Sequence, residues 1–269
     1  MNKTEIAEAI RKLKERKEKV YTNNFMQFQK SQEVSWEAAS SEKSLCLINE
    51  DHGVNRVLFY TTDFCELNTL MHDFLDPGEE YVLDIVSKDC LLYYEDMKKM
   101  GFKQHKKVMR MSNQDITPIL AADSPMMEYY TSQAGELASI SDTKKINSKL
   151  WEIFDTRVSH LLTDEELEES IRKGEIHIHK NGKGEVAAIL QSVVEPRSFY
   201  INQIYNGGEK GIIHAILLRA LKHYQDNGGK YVYAWVEEDN PASLRFHEKY
   251  GLRHDGLWDI IYIKEKSLE

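Results

Sequence analysis

Asn240-Pro241-Ala242-Ser243-Leu244-Arg245-Phe246-His247-Glu248-Lys249-Tyr250-Gly251-Leu252 decides how the C-terminal half of this chain is read. It is a helix with both ends written into it. Asn240 is an N-cap residue whose side-chain oxygen can take a free first-turn N–H, and Pro241 has the fixed φ that suits the first helical position. Gly251 supplies the residue that stops it. Just upstream, Tyr231–Val236 reads as a buried strand.

Working outward, Ser198–Tyr205 is another strand, after a break at Pro196. It runs into Gly207-Gly208-Glu209-Lys210-Gly211-Ile212-Ile213, and a helix follows at once from Ile212 to Asp226. Ile213, Leu217, Ala220 and Tyr224 form its apolar stripe, and Asn227-Gly228-Gly229 ends it. The first N–H groups of a helix lack internal acceptors, and the helix dipole makes that end positive. Glycine lets an anion come close to the backbone, so such a turn is a generic pyrophosphate cradle, to which Lys210 would add a charge. Alone, a strand–Gly–helix turn is commonly just a connection. The spacing also lacks the Gly-Lys-Ser/Thr of the P-loop and does not fit the dinucleotide fingerprint.

The remaining elements of this half alternate between helix and strand. Ser141–Arg157 is a helix with Ile146, Leu150, Ile153 and Phe154 on one face. Thr163-Asp-Glu-Glu166 is a capping box for a second helix, which Gly174 ends. Glu175–Lys180 and Glu185–Val194 are strands joined through Asn181-Gly182. A hairpin ending in Trp258–Ile263 closes the chain.

The N-terminal half repeats part of this order. Helices are expected at Thr4–Val20 and Ser31–Ala39, and strands at Leu45–Asn49 and Arg56–Thr61. Then come a helix Phe64–Leu75, a strand Tyr81–Val86, a helix Cys90–Met100 and a strand Lys103–Met111. Tyr81–Phe102 aligns without gaps onto Tyr231–Leu252, with Tyr81, Val82, Val86, Asp89, Lys99 and Gly101 identical to Tyr231, Val232, Val236, Asp239, Lys249 and Gly251. The expectation is two related domains, 1–112 and 143–269, joined by a linker 113–142 that is partly helical at Pro125–Glu136.

The Asn240–Leu252 helix resembles the last helix of the GNAT superfamily of acyl-CoA-dependent N-acyltransferases. That pattern is Asn, a small residue three positions on, an aromatic pair, Glu-Lys, then Gly-Phe. The turn Gly208–Ile213 falls where the family carries its Arg/Gln-x-x-Gly-x-Gly/Ala pyrophosphate loop. The resemblance covers Lys144–Lys264 and extends to Ser31–Met111 as a degenerate copy. It implies an α/β (α+β) fold of two GNAT-like domains, each a mixed, mostly antiparallel central sheet flanked by helices. It also implies acetyl-CoA as cofactor, coenzyme A as product and no metal.

Carried onto this chain, the resemblance gives the pantetheine arm the backbone of Ile204, Tyr205 and Asn206. The pyrophosphate would rest on Gly208, Glu209, Lys210, Gly211, Ile212 and Ile213. Asn240, Ser243 and Phe246 would line the coenzyme side of the last helix. Two departures matter. Gly208 replaces the Arg/Gln that opens the loop, and Ile213 replaces its final small residue, so Ile213 must not block the phosphate. His247 stands where many members place a Tyr as general acid. A histidine can donate a proton too, near neutrality, and the bland reading is a packed helical histidine. Tyr250 and Tyr262 are substitutes for that acid. Glu237, Glu238, or a water held by Asn202 or Gln203, are candidates for the base.

In the N-terminal copy the loop position reads Thr61-Thr62-Asp63-Phe64, without glycine, and Cys90 and Met97 replace Asn240 and His247. An aspartate at a phosphate-facing turn would repel the ligand, so this half is expected to bind no coenzyme. Met97, Leu92 and Tyr93 are simplest as core.

Composition sets the outer bounds. The 269 residues carry 41% hydrophobic and 29% charged positions, with 5 Pro and 14 Gly, as an ordinary globular chain does. No apolar run approaches the ~20 residues that span a bilayer, and the charged N-terminus has no signal-peptide core. A net charge of −9 argues against a nucleic-acid partner, which would need a basic face. Three cysteines without a CxxC, an odd number, suit a reducing cytoplasm better than a disulfide framework or zinc site. His177 and His179 share one strand face but have no third ligand near them in sequence, so an acceptor-side or surface role is the simpler reading. The leading expectation is an N-acetyltransferase acting on the primary amine of a small molecule or peptide. The alternatives are an aminoacyl or longer-chain acyl transferase of the same fold, or a non-catalytic acyl-CoA-binding or regulatory protein.

Overall fold

Two units divide the chain in this computed structural model, which describes residues 1–23, 36–129, 135–208 and 211–267. Unit 1 is Met1–Val108 with Leu257–Glu269, and unit 2 is Met109–Gly256. The first stretch of chain forms α1 (Lys3–Glu15), β1 (Tyr21–Thr22), β2 (Glu37–Ser40), β3 (Ser44–Asp51), β4 (Val54–Thr61), α2 (Phe64–Phe74), β5 (Tyr81–Ser87), α3 (Tyr94–Lys99) and β6 (Lys103–Asn113). Then follow β7 (Glu136–Leu137), α4 (Thr143–Ile153), α5 (Asp164–Arg172), β8 (Ile176–Lys180), β9 (Val186–Glu195) and β10 (Ser198–Asn206). The chain ends with α6 (Ile212–Asp226), β11 (Val232–Glu237), α7 (Pro241–Lys249) and β12 (Arg253–Lys264).

In unit 1 the strands lie in the order β2-β3-β4-β5-β12. All neighbours are antiparallel except β4 and β5, which run parallel. Period-2 alternation sends Val57 and Phe59 to one face, where they pack with Leu67 and Met71 of α2 and Met97 of α3. Leu58 and Tyr60 take the other face, against Ile6, Ile10 and Leu13 of α1. α1 starts at a capping box between Asn2 and Glu5. β12 reaches this unit from the far end of the chain. It pairs with β5 from Trp258↔Ser87 to Lys264↔Tyr81 and adds Ile260 and Tyr262 to the core. It also brings Asp259, whose carboxyl is held well above the usual range by burial and by the charge of Asp84.

Unit 2 has the order β7-β8-β9-β10-β11, followed by β6, whose residues from Met109 onward belong here. Here β7–β8, β8–β9 and β9–β10 are antiparallel, and β10–β11 is parallel. Helices cover both faces. Ile146, Leu150, Leu167 and Ile171 of α4 and α5 pack on Ile176, Ile178 and Ile189. Ile213, Ile216, Leu217 and Leu221 of α6 pack on Leu190, Phe199, Val232 and Ala234. Each such buried aliphatic side chain contributes about 1.5–3 kcal/mol. The mixed, mostly antiparallel sheets flanked by helices agree with the fold class expected from the sequence.

Several expected boundaries move. The final segment forms one strand, β12, and its residues from Leu257 belong to unit 1 rather than to the C-terminal domain. Alternation marks a strand but does not name its partner. The stretch expected as linker is built into unit 2: Ile116, Leu120 and Met126 sit in its main core, and Pro125–Tyr129 is a 3-10 turn. Of the helix expected at Ser31–Ala39, residues 31–35 lie outside the described residues, and Ala38 and Ala39 stand in strand β2. The helix expected from Cys90 begins only at Tyr94, because Tyr93 takes a left-handed φ of 63°.

His177 and His179 do share a face of β8, opposite the buried Ile176 and Ile178. Burial lowers the His177 pKa to about 4, helped by the nearby charges of His223 and Arg219, and its Nδ1 has no hydrogen-bond partner.

Two consequences can be measured. Deleting Leu257–Glu269 strips β5 of its neighbour and the core of Ile260 and Tyr262, a loss of several kcal/mol. The expected outcome is a truncated chain with an unfolded unit 1, seen as lost amide-exchange protection in β3–β5. The second concerns pH. The folded pKa of His177 is below the unfolded value, so stability is complete above about pH 6.5 and falls as pH drops toward 4, by on the order of 3 kcal/mol. His177→Gln should flatten the urea-midpoint profile across that window.

Candidate active site

β10 and β11 pair only at Phe199↔Val232, Tyr200↔Tyr233 and Ile201↔Ala234. Beyond that point β10 keeps its antiparallel partner β9 as far as Asn206↔Ala188, with a bulge between Ile201 and Gln203. A bulge adds twist and re-aims a strand. β11 departs toward Glu237, so from Gln203 to Asn206 the other edge of β10 has no strand beside it among the described residues. An open strand edge offers backbone N–H and C=O groups to an extended ligand. Ile204, Tyr205 and Asn206 lie on this edge.

The edge runs straight into the turn. Gly207 N–H donates to Ala187 O at 2.7 Å, and a Cβ on Gly207 would stand 2.7 Å from that same oxygen. Gly208 and Gly211 adopt φ of 101° and 83°, conformations that other L-residues rarely take. Gly211 caps α6 without a side chain, so no side-chain acceptor is provided to the first-turn amides among the described residues. Such amides, with the helix dipole, are the kind of group that can hold an anion. Glu209 and Lys210, expected to contribute here, lie outside the described residues. Ile213 does not obstruct the turn: it is 2% exposed and packs in the core with Ile216 and Leu217. Ile212 rests half-buried against the same cluster.

α7 begins as its sequence dictates. The Asn240 side chain accepts from Ser243 N at 3.0 Å, and Pro241 sits in the first turn. Asn240 is therefore committed as a cap. Phe246 packs half-buried against the main core. Glu237 ends β11, half-buried, and its carbonyl accepts from Asn240 N at 3.1 Å to close the turn into α7.

His247 and Tyr250 both point inward. His247 is 5% exposed, and its Nδ1 lies 2.8 Å from Ser243 O. A carbonyl can only accept, so Nδ1 carries the proton and Nε2 is a bare, buried lone pair without a partner. Burial lowers the His247 pKa, against a smaller opposing effect of the bond to Ser243. The neutral ring thus has no proton to give at Nε2. Tyr250 is fully buried, which raises its phenol pKa. Its hydroxyl is 2.8 Å from Nδ1 of His214. The other substitute, Tyr262, lies in the core of unit 1.

His214 and Tyr129 escaped the sequence reading. The His214 ring stacks on Tyr129 at 4.8 Å and on Phe246 at 5.0 Å, joining the start of α6 to α7. Its pKa is lowered by burial first and by Lys249 second. Tyr129 comes from the 3-10 turn and lies beside Gly211, where a Cβ would meet its ring at 3.1 Å. No spacing signal links Tyr129 to a turn so far along the chain. On β10, Gln203 stands opposite Gln191, and the Oε1 of each is buried without a hydrogen-bond partner. Tyr205 turns its ring to the α4–α5 side, under the Lys149 ammonium at 5.6 Å. Among the described residues no three His, Cys, Asp or Glu side chains are grouped to hold a metal, and no helix is long and apolar enough to cross a membrane.

The Acetyltransferase (GNAT) family model matches residues 144–252. No curated protein is similar enough in sequence to count as a relative. A GCN5-related N-acetyltransferase from Sphaerobacter thermophilus superimposes with TM-score 0.58 at 13% identity, covering 84% of this chain and 81% of that one. A tandem GNAT protein from the clavulanic acid biosynthesis pathway does so with TM-score 0.56 at 11% identity, over 88% and 84%. A functionally unknown conserved protein from Staphylococcus epidermidis gives 0.54 at 9%, over 88% and 96%. At such identities the likeness is one of fold. Residues 144–252 match the GNAT family model, and the fold of the chain as a whole is similar to that of GNAT and tandem GNAT proteins.

Proposed function

We propose that unit 2 is an acyl-CoA-dependent N-acyltransferase that moves an acetyl group from acetyl-CoA to a primary amine of a small molecule or peptide. The observation that carries this reading is the open edge Gln203–Asn206 leading into the uncapped, glycine-shaped start of α6. The edge suits the amides of a pantetheine arm, and the turn suits a pyrophosphate.

In this reading the neutral amine attacks the thioester carbonyl. A C–N bond forms, the C–S bond breaks, and the departing sulfur takes up a proton. Glu237, or a water held by Gln203, would accept the amine proton. For the sulfur, Tyr250 is a better candidate than His247, because His214 stands ready at its hydroxyl to exchange a proton. The three free cysteines, Cys46, Cys65 and Cys90, suit a cytoplasmic setting.

One observation favours a second reading. His247 and Tyr250 are both buried with internal partners, as they would be in a protein that binds acyl-CoA without turning it over.

Calorimetry with acetyl-CoA tests the donor site. Gly211→Asp puts a carboxylate and a strained φ at the turn and should weaken binding about 100-fold or more. Undiminished binding by that variant would defeat the proposal. A turnover assay across polyamines, amino acids, aminoglycosides and peptides separates the two readings, since binding without turnover supports the second. Where an acceptor is found, Tyr250→Phe should lower kcat about 100-fold with donor affinity unchanged. A rate within a factor of two of wild type would remove Tyr250 from the proton path.

A further inference from the structure

Unit 1 repeats the split of unit 2. β4 and β5 run parallel and pair only at Asn55↔Tyr81 and Arg56↔Val82. β4 then continues to Thr61 and β5 to Ser87. β3 covers one edge of β4 along its whole length, from Asp51↔Val54 to Ser44↔Thr61. β1 pairs antiparallel with the same end of β4, at Tyr21↔Thr61 and Thr22↔Tyr60. Only one edge is left to it there, the edge that β5 has abandoned.

Asn23 extends that cover with its side chain. Nδ2 donates to Val57 O at 2.8 Å, and Oδ1 accepts from Phe59 N at 2.8 Å. Thr22 Oγ1 donates to Phe59 O at 2.7 Å. A carboxamide offers the same donor and acceptor as a peptide group or a pantetheine amide. The buried Asn23 therefore meets the strand edge as a ligand's amide would.

The helix end is filled as well. α2 follows β4 as α6 follows β10, but its cap is Asp63. Oδ1 of Asp63 accepts from Cys65 N at 2.9 Å and from Glu66 N at 3.4 Å, and Lys43 pairs with Oδ2 at 3.3 Å. A carboxylate thus takes the amides that a phosphate would need. Between the two, the Tyr21 ring lies against Phe64, the first residue of α2, at 5.2 Å and against Tyr93, the residue before α3, at 5.9 Å.

We propose that unit 1 carries a built-in occupant of its donor cleft. Tyr21–Asn23 lies in place of the pantetheine arm, and the Asp63 carboxylate takes the place of the pyrophosphate. A chain then takes up one coenzyme molecule, in unit 2. The plug itself rests on unit 1 alone, and only the location of the single coenzyme rests on the reading of unit 2.

Two measurements on the full chain test it. Titration with coenzyme A should give one equivalent for wild type and none for Gly211→Asp. Two equivalents, or one that survives in Gly211→Asp, would overturn the proposal. Amide exchange tests the plug without coenzyme. Asn23→Ala deletes the acceptor of Phe59 N–H and should speed its exchange about tenfold or more, with a lower Tm. Should that variant fail to fold, Thr22→Val, which removes the hydroxyl's bonds to Phe59 O and Asn23 O and leaves the Asn23 side chain in place, should still speed exchange along Val57–Thr61. Unchanged exchange in the variant that folds would overturn the plug. If wild type takes up no coenzyme at all, the reading of unit 2 fails while the exchange result still decides the plug.

Discussion

The open strand edge of unit 2 follows from how short the contact between two parallel strands is. β10 and β11 share three residue pairs and then part. Backbone amides and carbonyls freed from a ladder must find other partners, so a split sheet is costly unless something fills it. On its other side β10 stays paired with β9 to its last residue, and that support holds the open edge in place. The bulge at Ile201–Gln203 supplies the twist that separates the strands, and Gly208 and Gly211 supply the conformations that turn the chain into α6. Edge and helix start are thus consecutive pieces of one backbone.

The side chains beneath this turn are organised by burial. Tyr129, His214 and Phe246 stack in sequence, and the Tyr250 hydroxyl meets His214 at the base of the stack. In so apolar a place an uncharged imidazole is favoured, which agrees with the lowered pKa of His214 and His247. The two histidines nonetheless differ in kind. The Nδ1 proton of His247 is held by a backbone carbonyl, whereas His214 faces a hydroxyl that can either give or take. Position in a sequence motif therefore points to one histidine, and hydrogen-bond chemistry to another.

What could be read from the sequence was the local part. Asn240, Pro241 and Gly251 announce their helix because caps and stops act within a few residues, and the structure forms that helix as written. The glycine turn and the strand before it are legible for the same reason. The fate of Ile213 was not, because its direction depends on the phase of α6 relative to a core assembled from distant strands. Tyr129 and His214 were hidden because their meeting is tertiary. The partner of β12 was hidden too, since alternation along Trp258–Ile263 fits any neighbour equally well. In unit 1, Asp63 was seen as a repellent for phosphate, and the structure gives it the further role of taking the helix amides itself.

The placement of β12 also has consequences for how the chain folds. Unit 1 is begun by Met1–Val108 but is completed by Trp258–Lys264, which lie far along the chain from β5. Until those residues pair with it, β5 lacks a neighbour on one side, and an unpaired edge on so apolar a strand invites wrong pairing. Closing so long a loop adds little free energy for each doubling of its length, yet it slows assembly because distant residues must meet. The plug at Tyr21–Asn23 acts at the other end of the same problem. It satisfies the split edge of β4 locally, from residues close in sequence, so this edge need not wait for a ligand. Unit 2 has no such local occupant on β10 among the described residues, and its edge from Gln203 to Asn206 stays open, as the proposed donor site requires.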